Sequence, residues 1–208
     1  VEKIEGVNQR LMEVVHANRL PLRAKFLKDL LFGLLSEERI AEGELQFKLQ
    51  PMTPPFRVAL LTFSNYELLE DAFSKEAILA IKEQISMFIS GQLEGHLAHE
   101  VVELDYKRFA VVAATADLQA VRKSQMSIVM LIEGSFEVEM IGAIGEACDG
   151  LATLSEAYVS ASRVLEGRFS TGGRNAVVTA EDMSSAAAET FYYPLDVERD
   201  LITNVIRC

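Results

Sequence analysis

The segment His96–Thr115, HLAHEVVELDYKRFAVVAAT, decides the fold. It holds two stretches of strand composition, from about 96 to 104 and from 108 to 115, with only 105–107 between them. So short a connection joins antiparallel neighbours, and the segment therefore predicts a β-hairpin. The patterns on either side of this hairpin show which fold it belongs to.

A strand and a helix precede the hairpin, and a helix and a strand follow it. Phe56–Phe63 is an apolar run of strand length, and Ser74 is placed to begin a helix. Asp117 is placed to cap a second helix, and a strand pattern returns over Phe136–Ile144. The apolar faces of the two helices are Ile78, Ile81, Ile85, Phe88 and Ile89, and Leu118, Val121, Ile128 and Ile132. The order βαββαβ predicts an α/β (α+β) fold with a ferredoxin-like core.

The first fifty residues predict an N-terminal helical segment in three pieces. The first piece repeats apolar residues with 3-4-3 spacing, at Ile4, Val7, Leu11 and Val14, as in the seam of a coiled coil. This seam spans only about two heptads, so an amphipathic helix lying on its own domain remains the alternative. The sequence Asn18–Pro21 separates this piece from the next.

Two further helices are predicted between Pro21 and the linker at 50–55. The first carries one wide apolar stripe, made of Leu22, Phe26, Leu27, Leu30, Leu31 and Leu34. Ser36, followed by two glutamates, is placed to cap the second helix, which carries Ile40, Leu45 and Leu49. The wide apolar stripe of the first of these helices must pack on something.

After the βαββαβ core the pattern adds a helix, a short strand and a terminal helix. Thr153–Glu156 has the form of a capping box, and Gly167 is placed to end the helix that it starts. A strand is expected over Ala176–Thr179, and an amphipathic helix follows Pro194. The buried face of the first of these helices is Leu154, Ala157, Tyr158, Ala161, Val164 and Leu165.

These patterns divide the chain into a helical segment at 1–50, a main domain at 51–190 and a connector helix at 191–208. An apolar content of 50% is enough for one core of ordinary domain size. The chain opens on Val1 and stops at Cys208 directly after a helical pattern, and we interpret both ends as cuts in a longer polypeptide.

Charge and cysteine content restrict the partners and the compartment. With 20 basic and 31 acidic residues the net charge is −11, which opposes direct binding of this chain to nucleic acid. Its two cysteines favour a reducing, cytoplasmic setting. The longest uncharged apolar runs, at 109–116 and 124–132, are shorter than the roughly 20 residues of a membrane-spanning helix. An upstream segment of the full-length protein could still tether it to the inner membrane.

Three stretches resemble one protein family. Ala143–Gly145 followed by Leu154–Tyr158 resembles the strand-turn-helix signature of the degenerate GGDEF-like domains of AraC-type bacterial transcription regulators. Leu20–Leu31 looks like the helical segment that precedes this domain, and Tyr192–Leu195 looks like the segment that joins it to a helix-turn-helix DNA-binding domain. The resemblance spans nearly the whole chain and implies a nucleotide-cyclase type of core.

The resemblance also locates the positions at which an active cyclase binds metal and nucleotide. The hairpin of active cyclases carries Gly-Gly-Asp-Glu-Phe, and the matching residues here are Asp105–Phe109, of which only the phenylalanine agrees. At the end of the first strand, where the family has a metal-binding aspartate, this chain has Thr62–Tyr66, and Glu67 and Glu70 lie beyond the strand. We therefore predict no catalytic, metal-binding or cofactor-binding residues, and no enzymatic activity.

Other candidate sites have simpler interpretations. His96 and His99 lack further ligands for a metal, and Cys148 has no catalytic signature around it, although either histidine is a conceivable base for it. The loop Ser170–Arg174 precedes a strand rather than a helix, so it is interpreted as a turn. We interpret Met126, Met130 and Met140 as core residues.

The resulting hypothesis is a non-catalytic relay and dimerisation domain. An upstream receiver domain or membrane sensor would act through a homodimer formed by the N-terminal helix, and DNA would be bound only by a domain outside this chain. The alternative is a sensing domain in which Tyr106, Lys107 and Arg108 bind a nucleotide- or phosphate-like ligand in the former cyclase cleft. Residual cyclase or phosphodiesterase activity is the third hypothesis.

Overall fold

The computed structural model describes residues 21–47, 49, 52–136, 138–171 and 176–183. The coiled-coil seam, the helix predicted after Pro194, residues 172–175 of the predicted loop and both predicted domain boundaries lie outside these ranges. The described strands are β1 (Phe56–Phe63), β2 (His99–Glu103), β3 (Arg108–Ala114), β4 (Met140–Cys148) and β5 (Val177–Thr179). The helices are α1 (21–31), α2 (Glu37–Phe47), α3 (Tyr66–Ala72), α4 (Lys75–Leu93), α5 (Leu118–Phe136) and α6 (Leu154–Thr171).

Within the described ranges the strands form one sheet in the order β2-β3-β1-β4-β5. The pairs β2–β3, β3–β1 and β1–β4 are antiparallel, whereas β4 and β5 are parallel. The helix α4 joins β1 to β2 and α5 joins β3 to β4, and in each case the two strands are parallel with one strand between them in the sheet. This arrangement confirms the predicted α/β fold with its ferredoxin-like βαββαβ core.

Helices cover both faces of the sheet. The first apolar cluster joins α1, α2 and α6 to one face, and the second joins α3, α4 and α5 to the other. Six of the eight residues of β1 alternate between the two clusters, so both faces of the strand are mostly apolar. The central strand is therefore buried on both sides, and the sheet is a rigid support for the loops at its ends.

A glycine allows α6 to lie against β4. A Cβ atom placed on Gly145 would lie 2.4 Å from the carbonyl oxygen of Ala157 and 2.7 Å from the amide nitrogen of Ala161. Both of these are backbone atoms, so they cannot rotate away as a side chain could. Any larger residue at this position would separate the helix from the sheet.

Several predicted boundaries and faces were wrong. The fourth strand begins at Met140 rather than Phe136, because α5 continues to Phe136, and β2 begins at His99 rather than His96. In place of the predicted capping box, a 3-10 turn over Leu151–Thr153 leads into α6, and the Thr153 hydroxyl donates to the carbonyl oxygen of Gly150.

Gly167 does not end α6, which continues to Thr171. The glycine instead makes room for a neighbour, since a Cβ atom there would lie 2.3 Å from the terminal methyl of Met183. Leu45 is 82% exposed, and Phe47 faces the core in its place. Met126 and Met130 are exposed rather than core residues, whereas Met140 is buried as predicted.

None of the helices in the described ranges is both long enough and apolar enough to cross a bilayer.

Candidate functional site at the β2–β3 hairpin

The structure brings together Thr62–Tyr66 and Asp105–Phe109, the two stretches that match the metal- and nucleotide-binding positions of active cyclases. Thr62 near the end of β1 pairs with Arg108 at the start of β3, and the amide of Phe63 donates to the carbonyl oxygen of Lys107 at 3.0 Å. The β2–β3 hairpin therefore lies directly beside the carboxyl end of β1. This is where the resemblance places the catalytic site of a cyclase.

Asp105 organises the hairpin turn. One carboxylate oxygen accepts hydrogen bonds from the amides of Lys107 at 3.0 Å and Arg108 at 2.9 Å, and the other accepts from the guanidinium Nε of Arg108 at 2.6 Å. Burial alone would raise the pKa of Asp105, but these bonds outweigh burial and hold the pKa below its ordinary value of 3.8. The carboxylate is thus already engaged by the hairpin itself.

Arg108 is held between the hairpin and α6. Burial alone would lower its pKa, but the ion pair with Asp105 and the proximity of Tyr158 on α6 raise it. The guanidinium therefore remains charged and is directed at Asp105 rather than toward an open cleft. Lys107 also has a local partner, because its ammonium lies 5.6 Å from the centre of the Tyr106 ring.

A buried lysine lies beneath the hairpin. The ammonium of Lys82 on α4 donates to the backbone carbonyl oxygen of Asp105 at 2.9 Å and lies 3.2 Å from the carboxylate of Glu103. Its side chain is only 7% exposed, and its charge lies 5.8 Å from the centre of the Phe109 ring. The sequence analysis missed this residue, although a lysine on the otherwise apolar face of a helix was a visible signal.

Aromatic rings fill the space between the hairpin and α3. The ring centre of Tyr66 lies 6.2 Å from that of Phe63 and 4.9 Å from that of Tyr106, and Phe63 lies 5.7 Å from Phe109. Burial and the neighbouring Glu70 raise the pKa of Tyr66, so its phenol stays neutral. Tyr106 is the exposed member, with 57% of its surface accessible.

The end of β1 is tied to an acid that the sequence analysis did not foresee. The Ser64 amide donates to the carbonyl oxygen of Glu139 at 2.9 Å, and the Ser64 hydroxyl lies 3.3 Å from the Glu139 carboxylate. The Glu139 amide in turn donates to the side-chain oxygen of Asn65 at 3.2 Å. These contacts join residues about 75 positions apart in sequence, so no local pattern could have revealed them.

The chemistry open to this arrangement is limited by where its acids are used. Two-metal phosphoryl transfer needs several carboxylates that converge on the metal ions. Within the described residues, no group of three or more His, Cys, Asp or Glu side chains is placed to hold a metal ion. Asp105 is bound by Arg108, and Glu139 lies against Ser64. At the hairpin tip Tyr106 is exposed with the Lys107 ammonium beside its ring, so both side chains could contact a ligand.

The other candidate residues do not form sites with one another. His96 and His99 line different cavities, and the Nδ1 of His99 lies 2.8 Å from the carbonyl oxygen of Leu97. Cys148 on β4 and His99 on β2 have β1 and β3 between them, which is roughly 14 Å at the usual strand spacing. Burial raises the pKa of the Cys148 thiol, which disfavours the reactive thiolate.

Comparisons with known proteins agree with the fold. No protein-family model matches the sequence, and no curated protein matches it significantly. The GGDEF domain of FimX from Pseudomonas aeruginosa superposes with a TM-score of 0.51 at 11% identity, covering 68% of this chain and 89% of that domain. The active GGEEF domain of a diguanylate cyclase from Vibrio cholerae gives a TM-score of 0.50 at 11% identity, covering 67% of this chain and 86% of the other. The chain therefore has the GGDEF type of fold.

Proposed function

We propose that this chain is a non-catalytic relay and dimerisation domain of an AraC-type transcription regulator. It would couple an upstream input domain to a C-terminal helix-turn-helix domain that alone binds DNA. The observation that carries the non-catalytic part is the closed set of bonds around Asp105, whose carboxylate accepts from two backbone amides and from Arg108. The assignment to an AraC-type regulator rests on the sequence resemblance to that family described under Sequence analysis.

Electrostatics supports the loss of metal-dependent chemistry. At an effective dielectric constant of about 20, two like unit charges about 4 Å apart repel by roughly 4 kcal/mol, and a divalent ion doubles the energy. A Mg²⁺ ion at the hairpin would meet the charges of Arg108 and Lys82, and it would have to displace Arg108 from Asp105. Exchanging a short ion pair for a repelled metal ion is unfavourable.

Two ion pairs support a mechanical role, because they attach the entering and leaving segments to the core. Arg23 on α1 pairs with Glu100 on β2, whose side chain is 5% exposed. Arg122 on α5 lies 3.3 Å from Asp182, which belongs to the short helical segment at 180–183 after β5. A displacement of α1 would therefore act on the same sheet that holds the beginning of the C-terminal segment.

A turnover assay tests the non-catalytic part of the proposal. The chain is incubated with GTP and Mg²⁺, and nucleotide products are separated chromatographically. We expect no product above a no-protein blank. Turnover that disappears in Thr62→Ala or Ser64→Ala variants, both altered at the end of β1, would contradict the proposal.

Sedimentation tests the dimer. We expect the chain to be a dimer that becomes monomeric in an Ile4→Asp/Leu11→Asp variant, because both residues lie in the predicted seam. Asn8→Asp/Gln9→Asp is the matched control, since it adds the same two charges outside the seam positions. If the wild-type chain is a monomer, or if the seam variant and the control dissociate equally, the proposal that the N-terminal seam forms the dimer is contradicted.

One observation favours ligand sensing as a second candidate. Tyr106 is 57% exposed, and Lys107 lies over its ring, so an aromatic face and a cation are presented together at the hairpin tip. A nucleotide- or phosphate-like ligand could stack on the ring and pair with the ammonium. A saturable rise in melting temperature with nucleotides or sugar phosphates, lost in Lys107→Ala but kept in Lys75→Ala, would support this candidate.

A further inference from the structure

The outer edge of β2 is an open strand edge. The amide of Ala114 donates to the carbonyl oxygen of Ala98, and that of Leu104 donates to the carbonyl oxygen of Arg108. In an antiparallel ladder with this register, Glu100 and Val102 also exchange hydrogen bonds with β3. The backbone groups of the alternate residues 99, 101 and 103 consequently point away from the sheet. Among the described residues, β2 pairs with β3 alone.

This edge lacks three of the devices that prevent strand pairing. Natural edge strands are protected by proline, by lysine or other charged side chains, by a bulge, by a very short strand or by a covering element. The two charges that β2 carries, Glu100 and Glu103, are paired within the chain with Arg23 and Lys82. The sequence of β2 is HEVVE, which contains neither proline nor lysine, and its register with β3 is continuous. A groove of about 470 Å³ runs beside the edge and is lined by Arg23, Met87, Gly91, His99 and Val101, among others. The edge therefore has both free backbone groups and adjacent space.

We infer that a second copy of this chain pairs with the β2 edge, antiparallel and about a two-fold axis at Val101. In this register His99 of one protomer lies opposite Glu103 of the other, and the two Val101 residues face each other. Both His99–Glu103 contacts then join a weak base to an acid, and every outward N–H and C=O of residues 99, 101 and 103 finds a partner. The edge is thus complementary to itself, as an isologous dimer interface requires.

Other registers lack this complementarity. A shift of two residues in either direction places Val101 opposite His99 or opposite Glu103, which leaves a polar group facing an apolar one. A shift of one residue places Glu100 or Val102 opposite Val101 of the partner. The backbone groups of Glu100 and Val102 already bond to β3, so they cannot bond to the partner. The charge pattern therefore selects the register centred on Val101, and it selects a second copy over an unrelated strand.

The two-fold axis also brings exposed apolar residues together. An axis perpendicular to the sheet keeps equivalent helices on the same side, so α4 would lie beside α4 and α1 beside α1. Met87 on α4 is 68% exposed, no atom lies within 4 Å of a Cβ placed on Gly91, and Leu22 on α1 is 51% exposed. This inference rests on the proposed function in one respect, since it takes a homodimer to be the working form, with the two α1 helices adjacent.

Disulfide trapping tests the axis directly, in full-length chain carrying Cys208→Ser. Directly opposed residues of a hydrogen-bonded antiparallel pair have Cα atoms about 5.5 Å apart, which is a favourable distance for a disulfide. We expect Val101→Cys to form a disulfide-linked dimer under mild oxidation. Met130→Cys is the matched control, because it is 67% exposed on α5, which packs on β4 rather than on β2.

A second pair of variants tests the backbone and the charges. Val101→Pro removes an N–H that β3 does not use, so we expect the dimer dissociation constant to rise at least tenfold while the melting temperature changes little. His99→Glu should weaken the dimer through two acid–acid contacts, whereas His99→Lys, which keeps a cation opposite Glu103, should retain it.

The inference is overturned if Val101→Cys gives no more linked dimer than Met130→Cys. If sedimentation then still shows a dimer that Ile4→Asp/Leu11→Asp dissociates, the relay proposal stands and only the edge pairing fails. If the wild-type chain is monomeric, both fail. Linked dimer in Val101→Cys with a weakened Val101→Pro dimer supports the edge pairing whatever the seam variant does.

Discussion

The ammonium of Lys82 lies 2.9 Å from the backbone carbonyl oxygen of Asp105, and it thereby joins α4 to the tip of the β2–β3 hairpin. The same ammonium lies 3.2 Å from Glu103, so a single buried cation satisfies two acceptors on the hairpin. A hairpin fixed from below in this way is a rigid surface feature rather than a mobile loop. The contribution of each of these bonds to stability can be measured by substituting one of its partners.

Lys82→Met should destabilise the domain by about 1–3 kcal/mol, because it keeps the volume of the side chain but leaves the Asp105 carbonyl without its donor. Urea unfolding at pH 7 measures the change. Lys123→Met on the exposed side of α5 is the control and should stay within about 0.5 kcal/mol of wild type. A loss in Lys82→Met no larger than in this control would show that the lysine does not support the hairpin.

Asp105→Asn should lower the free energy of unfolding by about 1–2 kcal/mol at pH 7, since an amide cannot form the ion pair with Arg108. The folded-state pKa of Asp105 lies below the ordinary 3.8. The stabilisation by its carboxylate is therefore complete above the unfolded-state pKa and is lost as pH falls through the folded-state pKa.

The difference between wild type and Asp105→Asn should accordingly shrink when unfolding is measured at pH 3 instead of pH 7. Asp71→Asn, an exposed position on α3, should show no such convergence. A difference that stays constant across this range would mean that the hairpin does not depend on the charge of Asp105.

The sequence predicted the hairpin and β1 because both have strong local signals, a short polar turn in one case and a strand that is apolar except for Arg57 and Thr62 in the other. It misplaced the start of β4 because Phe136, Val138 and Met140 alternate with glutamates as in a strand, whereas α5 continues to Phe136. It could not reveal Glu139 beside Ser64, since that contact depends on how two distant strands align. It assigned Met126 and Met130 to the core because an apolar pattern does not show which side is covered.

Cys148 should be unreactive in the folded protein. Its side chain is buried, and burial raises the pKa of its thiol, so little thiolate is present at pH 8. In a Cys208→Ser background, we expect labelling by a chromogenic disulfide reagent to be slow in buffer and fast in urea. The same background with Met130→Cys adds an exposed thiol that should react at once. Rapid labelling of Cys148 in buffer would mean that this end of β4 opens readily.

Gly145→Ala and Gly134→Ala should change stability in opposite directions. The added methyl at Gly145 meets backbone atoms of α6 at 2.4 and 2.7 Å, so we expect a loss of about 1–3 kcal/mol or more. At Gly134, within α5, no atom lies within 4 Å of the added methyl, and the better helix propensity of alanine should add about 0.5–1 kcal/mol. Equal effects in urea unfolding would contradict the close approach of α6 to β4.

Asp182→Ala should loosen the beginning of the C-terminal segment without unfolding the sheet. The Asp182 carboxylate accepts from the Thr179 amide at 2.9 Å and from Arg122 at 3.3 Å, while the Thr179 hydroxyl accepts from the Asp182 amide at 3.2 Å. This reciprocal cap links α5 to the short helical segment at 180–183.

Removing the cap should speed hydrogen exchange of the amides at 179–183 by roughly tenfold, which corresponds to about 1.4 kcal/mol of local stability, and leave the amides of β1 and β3 unchanged. Glu181→Ala, in the same turn and exposed, is the matched control. If the relay depends on a firm connection between the sheet and the segment at 180–183, hydrogen exchange at 179–183 must be faster in Asp182→Ala than in Glu181→Ala. Uniform exchange changes throughout the sheet would instead make Asp182 part of the global fold and remove it as a coupling point.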